Sequence, residues 1–184
     1  MSGRQIEHGI TIPKLTPDKP KPSLLIPNPY TIILTPVHYY LGSLHAVAQE
    51  IQLEKAEVII SSPYTRALQT AEIINRKLGL ELFVEHDLRE WRADLDGGYV
   101  DLQERDRRWH EYRASLKNNA EPNNVPYESW IVLRNRAENV LSRYKHYSKI
   151  IVVSHFNVFE SLAGHQDNGI GCGSYRSLTL NKLG

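Results

Sequence analysis

The run Glu57-Val58-Ile59-Ile60-Ser61-Ser62-Pro63-Tyr64-Thr65-Arg66-Ala67-Leu68-Gln69-Thr70-Ala71-Glu72-Ile73-Ile74 limits what this chain can fold into more than any other, because an unbroken apolar segment passes straight into a helix start. Val58, Ile59 and Ile60 suit a parallel strand covered on both faces. Ser62 followed by Pro63 predicts an N-cap and a first helical residue with preset φ. A helix that begins at the carboxyl edge of a parallel sheet offers free N–H groups to an anion, in the place where open α/β sheets take ligands. Arg66 adds a forked cation suited to phosphate or carboxylate. By itself the pattern fits an ordinary strand-to-helix junction with a surface arginine equally well, so other residues must decide.

The 184 residues suit one domain with a substantial core, and the expectation is a single unit over 1–184. Lys plus Arg number 22 against 21 for Asp plus Glu, a net charge of +1. Bulk charge therefore predicts neither nucleic-acid nor membrane-surface binding, and any phosphate recognition has to be local. Cys172 is the one cysteine, which excludes an intramolecular disulfide and a multi-cysteine metal site and fits a reducing compartment, the cytoplasm by default. No apolar run approaches the roughly 20 residues that cross a bilayer, and Met1-Ser2-Gly3-Arg4-Gln5 lacks the apolar segment of a signal peptide.

In chain order, residues 5–11 read as a weak strand turning at Gly9, with Tyr30–Leu34 as the alternative first strand. Between them, Pro13, Pro17, Pro20, Pro22, Pro27 and Pro29 make a loop of polyproline character. Val37, Leu41, Leu44, Ala48 and Ile51 predict a helix from about Pro36 to Leu53, which carries His38 and His45 as surface residues. Gly79 stops the helix after Arg66, and Leu82-Phe83-Val84 forms a third strand whose exit is His86-Asp87-Leu88-Arg89-Glu90-Trp91. Asp101 and Glu104 open a charged helix to about Leu116, its arginines paired with acids on a solvated face. Glu128 or Ser129 opens the next helix. Lys149–Ser154 is a second apolar strand ending on His155, Asn157–Ala163 a short helix closed by Gly164, and Tyr175–Leu180 a final strand.

Apolar strands thus deliver polar residues to one sheet edge, and here a family becomes visible. Ser61-Ser62-Pro63-Tyr64-Thr65-Arg66-Ala67-Leu68-Gln69-Thr70-Ala71 resembles the second signature of the histidine phosphatase superfamily, the phosphoglycerate mutase-like fold. Val152-Val153-Ser154-His155 resembles its late histidine motif, Asp87-Leu88-Arg89-Glu90-Trp91 the segment carrying its acid, and Leu34-Thr35-Pro36 the start of its first helix. The resemblance implies a three-layer α/β/α sandwich with a mostly parallel sheet. It also implies a phosphomonoester hydrolase working through a phosphohistidine without metal or cofactor, on a small-molecule phosphate ester or a phosphorylated protein. His8, in Glu7-His8-Gly9, stands as the candidate nucleophile. Arg66, Ser62 and His155 stand as the phosphate-binding set, with His155 also stabilising the transferring group and Glu90 protonating the leaving oxygen. Those residue types suit the chemistry: a neutral imidazole attacks near neutral pH, cations offset charge on the equatorial oxygens, and an alkoxide leaves poorly without an acid.

Two departures shape the expectation. Glu7 stands where the family has Arg, exchanging a bidentate phosphate donor for a group that repels phosphate, with Arg4 the nearest substitute cation. Phe156-Asn157 follows His155 where small glycines are common. The expected activity on generic substrates is therefore weak. The rival is a catalytically impaired relative that keeps an anion pocket as a binding or regulatory module. Glu85, Asp87 and Asp94 compete with Glu90 for the acid role. A nucleotide-binding phosphate loop fails for want of a Gly-rich turn ending in Lys.

Overall fold

A computed structural model of the chain describes residues 30–34, 48–51, 55–167, 169 and 174–179. Five strands form one sheet: β1 (Tyr30–Leu34), β2 (Val58–Ser61), β3 (Glu81–Val84), β4 (Lys149–Val153) and β5 (Tyr175–Thr179), in the order β3-β2-β4-β1-β5. All neighbours run parallel except β5, which lies antiparallel on β1. The four helices described at length are α1 (Thr65–Leu78), α2 (Leu102–Lys117), α3 (Trp130–Arg143) and α4 (Phe156–Ala163). Residues 48–51 are helical too, inside the span expected for the helix after Pro36, most of which lies outside the described residues.

The three-layer sandwich follows from strand alternation. Val58, Ile60, Ile150 and Val152 point to one face, where Leu133, Ala137 and Val140 of α3 and Val158 and Phe159 of α4 complete a core. Ile59, Ile151 and Val153 point to the other, beneath Ala67, Ala71 and Ile74 of α1 and Ala48 and Ile51. Burial on both faces explains why these strands read as continuous apolar runs. Several expected boundaries hold for local reasons. Gly79 ends α1 in the left-handed region (φ 66°), its N–H reaching Asn75 O at 2.7 Å. Asp101 caps α2 by accepting the Glu104 N–H at 2.9 Å, and Ser129 caps α3 by accepting that of Val132 at 3.3 Å.

One expectation is borne out and another revised. Of the alternative first strands, Tyr30–Leu34 pairs with β4, while residues 5–11 lie outside those described. And Ser62 does not cap a helix whose first residue is Pro63: α1 starts at Thr65 after an extended Tyr64, with no side-chain cap. The Ser62 hydroxyl is drawn away by a partner from β4's exit.

Candidate active site

Ser61 of β2 pairs with Val153 of β4, and the Ser62 N–H donates to Val153 O at 2.9 Å, so the two strands leave the sheet side by side. Ser62 and His155 meet there, both buried. Ser62 Oγ lies 2.7 Å from His155 Nε2, and Arg66 Nη2 lies 2.9 Å from Nδ1. A guanidinium only donates, so Nδ1 accepts and the ring proton sits on Nε2, which donates to Ser62 Oγ. The same oxygen takes the Tyr64 N–H at 3.3 Å. The Tyr64 ring stands edge-on to the imidazole, 5.1 Å between centroids, with the Arg66 guanidinium over it.

Burial, then the charges of Arg66 and Arg136, push His155 down to about 3, so the ring is neutral at neutral pH. Glu90 Oε2 stands 4.0 Å from Nδ1, a proximity of carboxyl to neutral ring rather than an ion pair. Burial raises Glu90, against the opposing effects of the Trp91 N–H, the Asn157 side chain, Arg66 and Arg136. Asn157 Oδ1 accepts the Trp109 indole N–H at 3.2 Å, which leaves the amide N–H to donate to Glu90. A carboxyl that holds its proton above the ordinary range, beside a neutral imidazole and an arginine, can deliver a proton to a leaving oxygen.

The rival acids are committed elsewhere. Glu85 accepts the Tyr144 hydroxyl at 2.6 Å and pairs with Arg143. Asp87 pairs with Arg89 at 2.8 Å, and Asp94 takes the Gly98 N–H at 2.6 Å. Arg66, Ser62, Glu90 and His155 are therefore brought together, whereas His8, Glu7 and Arg4 lie outside the described residues.

Sequence reasoning missed what holds Glu90. Arg136, on the buried face of α3, binds Glu128 through Nε–Oε1 at 2.7 Å and Nη2–Oε2 at 2.9 Å. It also donates to the carbonyls of Asp87, Arg89 (2.8 Å) and Glu90 (3.2 Å). Glu128 in turn accepts the Arg92 N–H at 3.2 Å, and its carbonyl accepts the Trp91 indole at 2.7 Å. The loop is tied to β4's exit by Ser154 Oγ, which donates to Leu88 O at 2.8 Å. The available signal was a charge in an apolar stripe, Arg136 beside Leu133, Ala137 and Val140. The arginines of α2 divide: Arg107 and Arg108 pair with acids as expected, but Arg113 reaches inward to the buried Glu160 at 2.9 Å.

The His155 shift gives a pH signature. Because the folded ring resists protonation, the unfolded chain binds the extra proton first, and stability falls as pH drops below about 6.5. His155→Gln should flatten that fall, the difference reaching about 2 kcal/mol near pH 5. Urea unfolding of both proteins from pH 7 to 4 checks it, read as slopes because the variant also loses hydrogen bonds; parallel curves would contradict the assignment. Glu90 acts in the opposite sense, since a raised folded value disfavours the fold as pH rises above the ordinary carboxyl range.

Among described residues no cluster of His, Cys, Asp and Glu could hold a metal, and no helix is long and apolar enough to cross a membrane. Among curated proteins none matches the chain. Solved structures share the fold at low identity. A mycobacterial glucosyl-3-phosphoglycerate phosphatase is 17% identical over 82% of this chain and 90% of its own, with a TM-score of 0.61. The alpha-ribazole phosphatase of Shigella flexneri is 16% identical over 83% and 91%, with a TM-score of 0.58. The profile of the histidine phosphatase superfamily (branch 1) matches residues 42–182, most of the chain. With the parallel sheet and the Arg66–His155 corner at its edge, that match makes this chain a member of the histidine phosphatase superfamily.

Proposed function

We propose that the chain is a phosphomonoester hydrolase that works through a phosphohistidine and turns over generic esters weakly. The observation that supports this most is the convergence of Arg66 and Glu90 on the neutral, buried ring of His155. A phosphoryl group at this corner takes charge-assisted hydrogen bonds from Arg66, and one from His155 where its oxygen replaces Ser62 Oγ as the acceptor of the Nε2 proton. In the first step the His8 imidazole attacks phosphorus, an N–P bond forms, the P–O bond to the leaving group breaks, and Glu90 passes its proton to the departing oxygen. In the second, water attacks phosphorus, Glu90 takes back a proton, and the N–P bond breaks to release phosphate. No metal or cofactor enters these steps. The ligand is a small-molecule phosphate ester or a phosphorylated protein, and the setting is the cytoplasm.

A second reading, a binding or regulatory module with little or no turnover, has an observation of its own. β1 and β2 end level against the same residue of β4, through the pairs Leu34↔Val153 and Ser61↔Val153. In sequence the chain continues from these strands as Thr35-Pro36, Ser62-Pro63 and Ser154-His155, so no imidazole directly follows β1. His8 stands upstream of β1, across the proline-rich segment, and Glu7 precedes it.

Phosphate release from an aryl ester separates the two. Wild type, Glu7→Arg, and Glu7→Arg with His8→Ala are compared, together with vanadate binding. Hydrolysis means weak wild-type turnover, a gain of about a hundredfold in Glu7→Arg, and loss of the gain in the double variant. No turnover in any protein, with vanadate still bound, favours the module; failure to bind vanadate removes the phosphoryl site itself.

A further inference from the structure

Between the loop that carries Glu90 and the first turns of α2 lies a cleft of about 710 Å³. Glu90 and Trp91 contribute to one wall, and Gln103, Arg105, Asp106 and Trp109 to the other. Glu90 thus belongs both to the phosphoryl corner and to this cleft. The substituent on a leaving oxygen that Glu90 protonates begins one bond away, so the cleft beside Glu90 is where that substituent is received.

The lining selects a chemistry. Both indole N–H groups are spent inside the protein, that of Trp91 on Glu128 O and that of Trp109 on Asn157 Oδ1, so the two rings offer a ligand their carbon surface. Arg113 lies over the Trp109 ring at 5.2 Å and holds it in place. The polar end is unspent. Arg107 and Arg108 are taken up by Glu104, Glu111 and Asp94, whereas among the described residues the Gln103 amide and the Arg105 guanidinium have no hydrogen-bond or ion-pair partner. Among the described residues, the partner of Asp106 Oδ2 is His110 Nδ1, at 3.5 Å.

An amide that donates and accepts, a guanidinium that donates and a carboxylate that accepts are jointly satisfied by hydroxyl groups, which do both. A plain aromatic substituent would desolvate these groups without replacing their hydrogen bonds. An anionic substituent would gain from Arg105 and lose to Asp106. A pyranose or furanose matches both ends, its C–H face against indole carbon and its hydroxyls toward α2. We propose that the cleft is a sugar subsite, which makes the ligand of the neighbouring corner a sugar phosphate. The proposal rests on the phosphoryl-site reading above, and the volume admits one or two rings.

The chain reports on itself. Of its three tryptophans, Trp91 and Trp109 line the cleft and Trp130 is packed in the core, so indole fluorescence follows cleft occupancy. Wild type is titrated with inorganic phosphate, glucose 6-phosphate, ribose 5-phosphate, the acyclic glycerol 3-phosphate, and methyl glucoside. The sugar phosphates should bind at least tenfold more tightly than glycerol 3-phosphate and change the emission. The exposed Gln103→Ala/Arg105→Ala double variant, its fold verified by circular dichroism, should lose that preference. Equal affinity for cyclic and acyclic phosphates, or a preference that survives in the double variant, would overturn the subsite. If inorganic phosphate does not bind, the phosphoryl reading fails by itself, and methyl glucoside decides the cleft: a changed emission upholds the sugar subsite, an unchanged one overturns it.

Discussion

Arg136→Met should destabilise the protein by about 3–5 kcal/mol, because it strands a buried carboxylate. Glu128 has no exposed surface, and its carboxylate is matched by two Arg136 nitrogens at 2.7 and 2.9 Å. Removing one partner of a buried pair leaves the other charge desolvated, here with Arg92 Nη2 at 3.8 Å as its remaining cation, which costs far more than the pair itself contributes. The carbonyls of Asp87, Arg89 and Glu90 lose a donor at the same time, adding to the loss. For a chain of this length the melting temperature should drop by about 6–20 °C. Adding Glu128→Leu removes the stranded charge and should restore part of the loss, and the shortfall measures what the arginine does for the loop carbonyls. Urea denaturation of the three proteins checks this; a single variant within about 0.5 kcal/mol of wild type would mean the pair is not buried as described.

The second large effect belongs to Arg66→Gln. Charge-assisted hydrogen bonds to an anion are worth roughly 1.5–3 kcal/mol, so vanadate or phosphate binding should weaken by about 10- to 150-fold. The same change should move His155. Arg66 is the second cause, after burial, holding that ring near 3, so without it the value rises while burial still keeps it below the ordinary histidine range. Following the His155 ring resonances by NMR while lowering the pH gives the readout, and anion affinity is measured on the same samples. Loss of anion binding with no movement of His155 would separate the arginine from the ring and break the site as described. Unchanged anion binding would place the phosphoryl corner elsewhere.

What the sequence determined by itself is what short stretches encode. Apolar runs at 58–60 and 150–153 became the two central strands, because burial on both faces leaves no room for polar alternation. Gly79, Asp101 and Ser129 marked helix ends, because caps are made by side chains and backbone within a few residues. Arg66 and His155 could be paired because each lies just past one of those strands. Only the tertiary structure decided the rest. Glu90 was one of four nearby acids, and it was selected by Asn157, Arg66 and His155, residues brought to it by strand order rather than by sequence distance. Ser62 read as a helix cap until β4's exit placed an imidazole nitrogen 2.7 Å from its hydroxyl, a partner 93 positions away that competes with the backbone of its own turn. The choice of Tyr30–Leu34 as the strand beside β4 was likewise a matter of pairing. A short β-prone segment has no local property that names its neighbour; the ladder does, through hydrogen bonds between residues more than a hundred positions apart, such as the pair Leu34↔Val153.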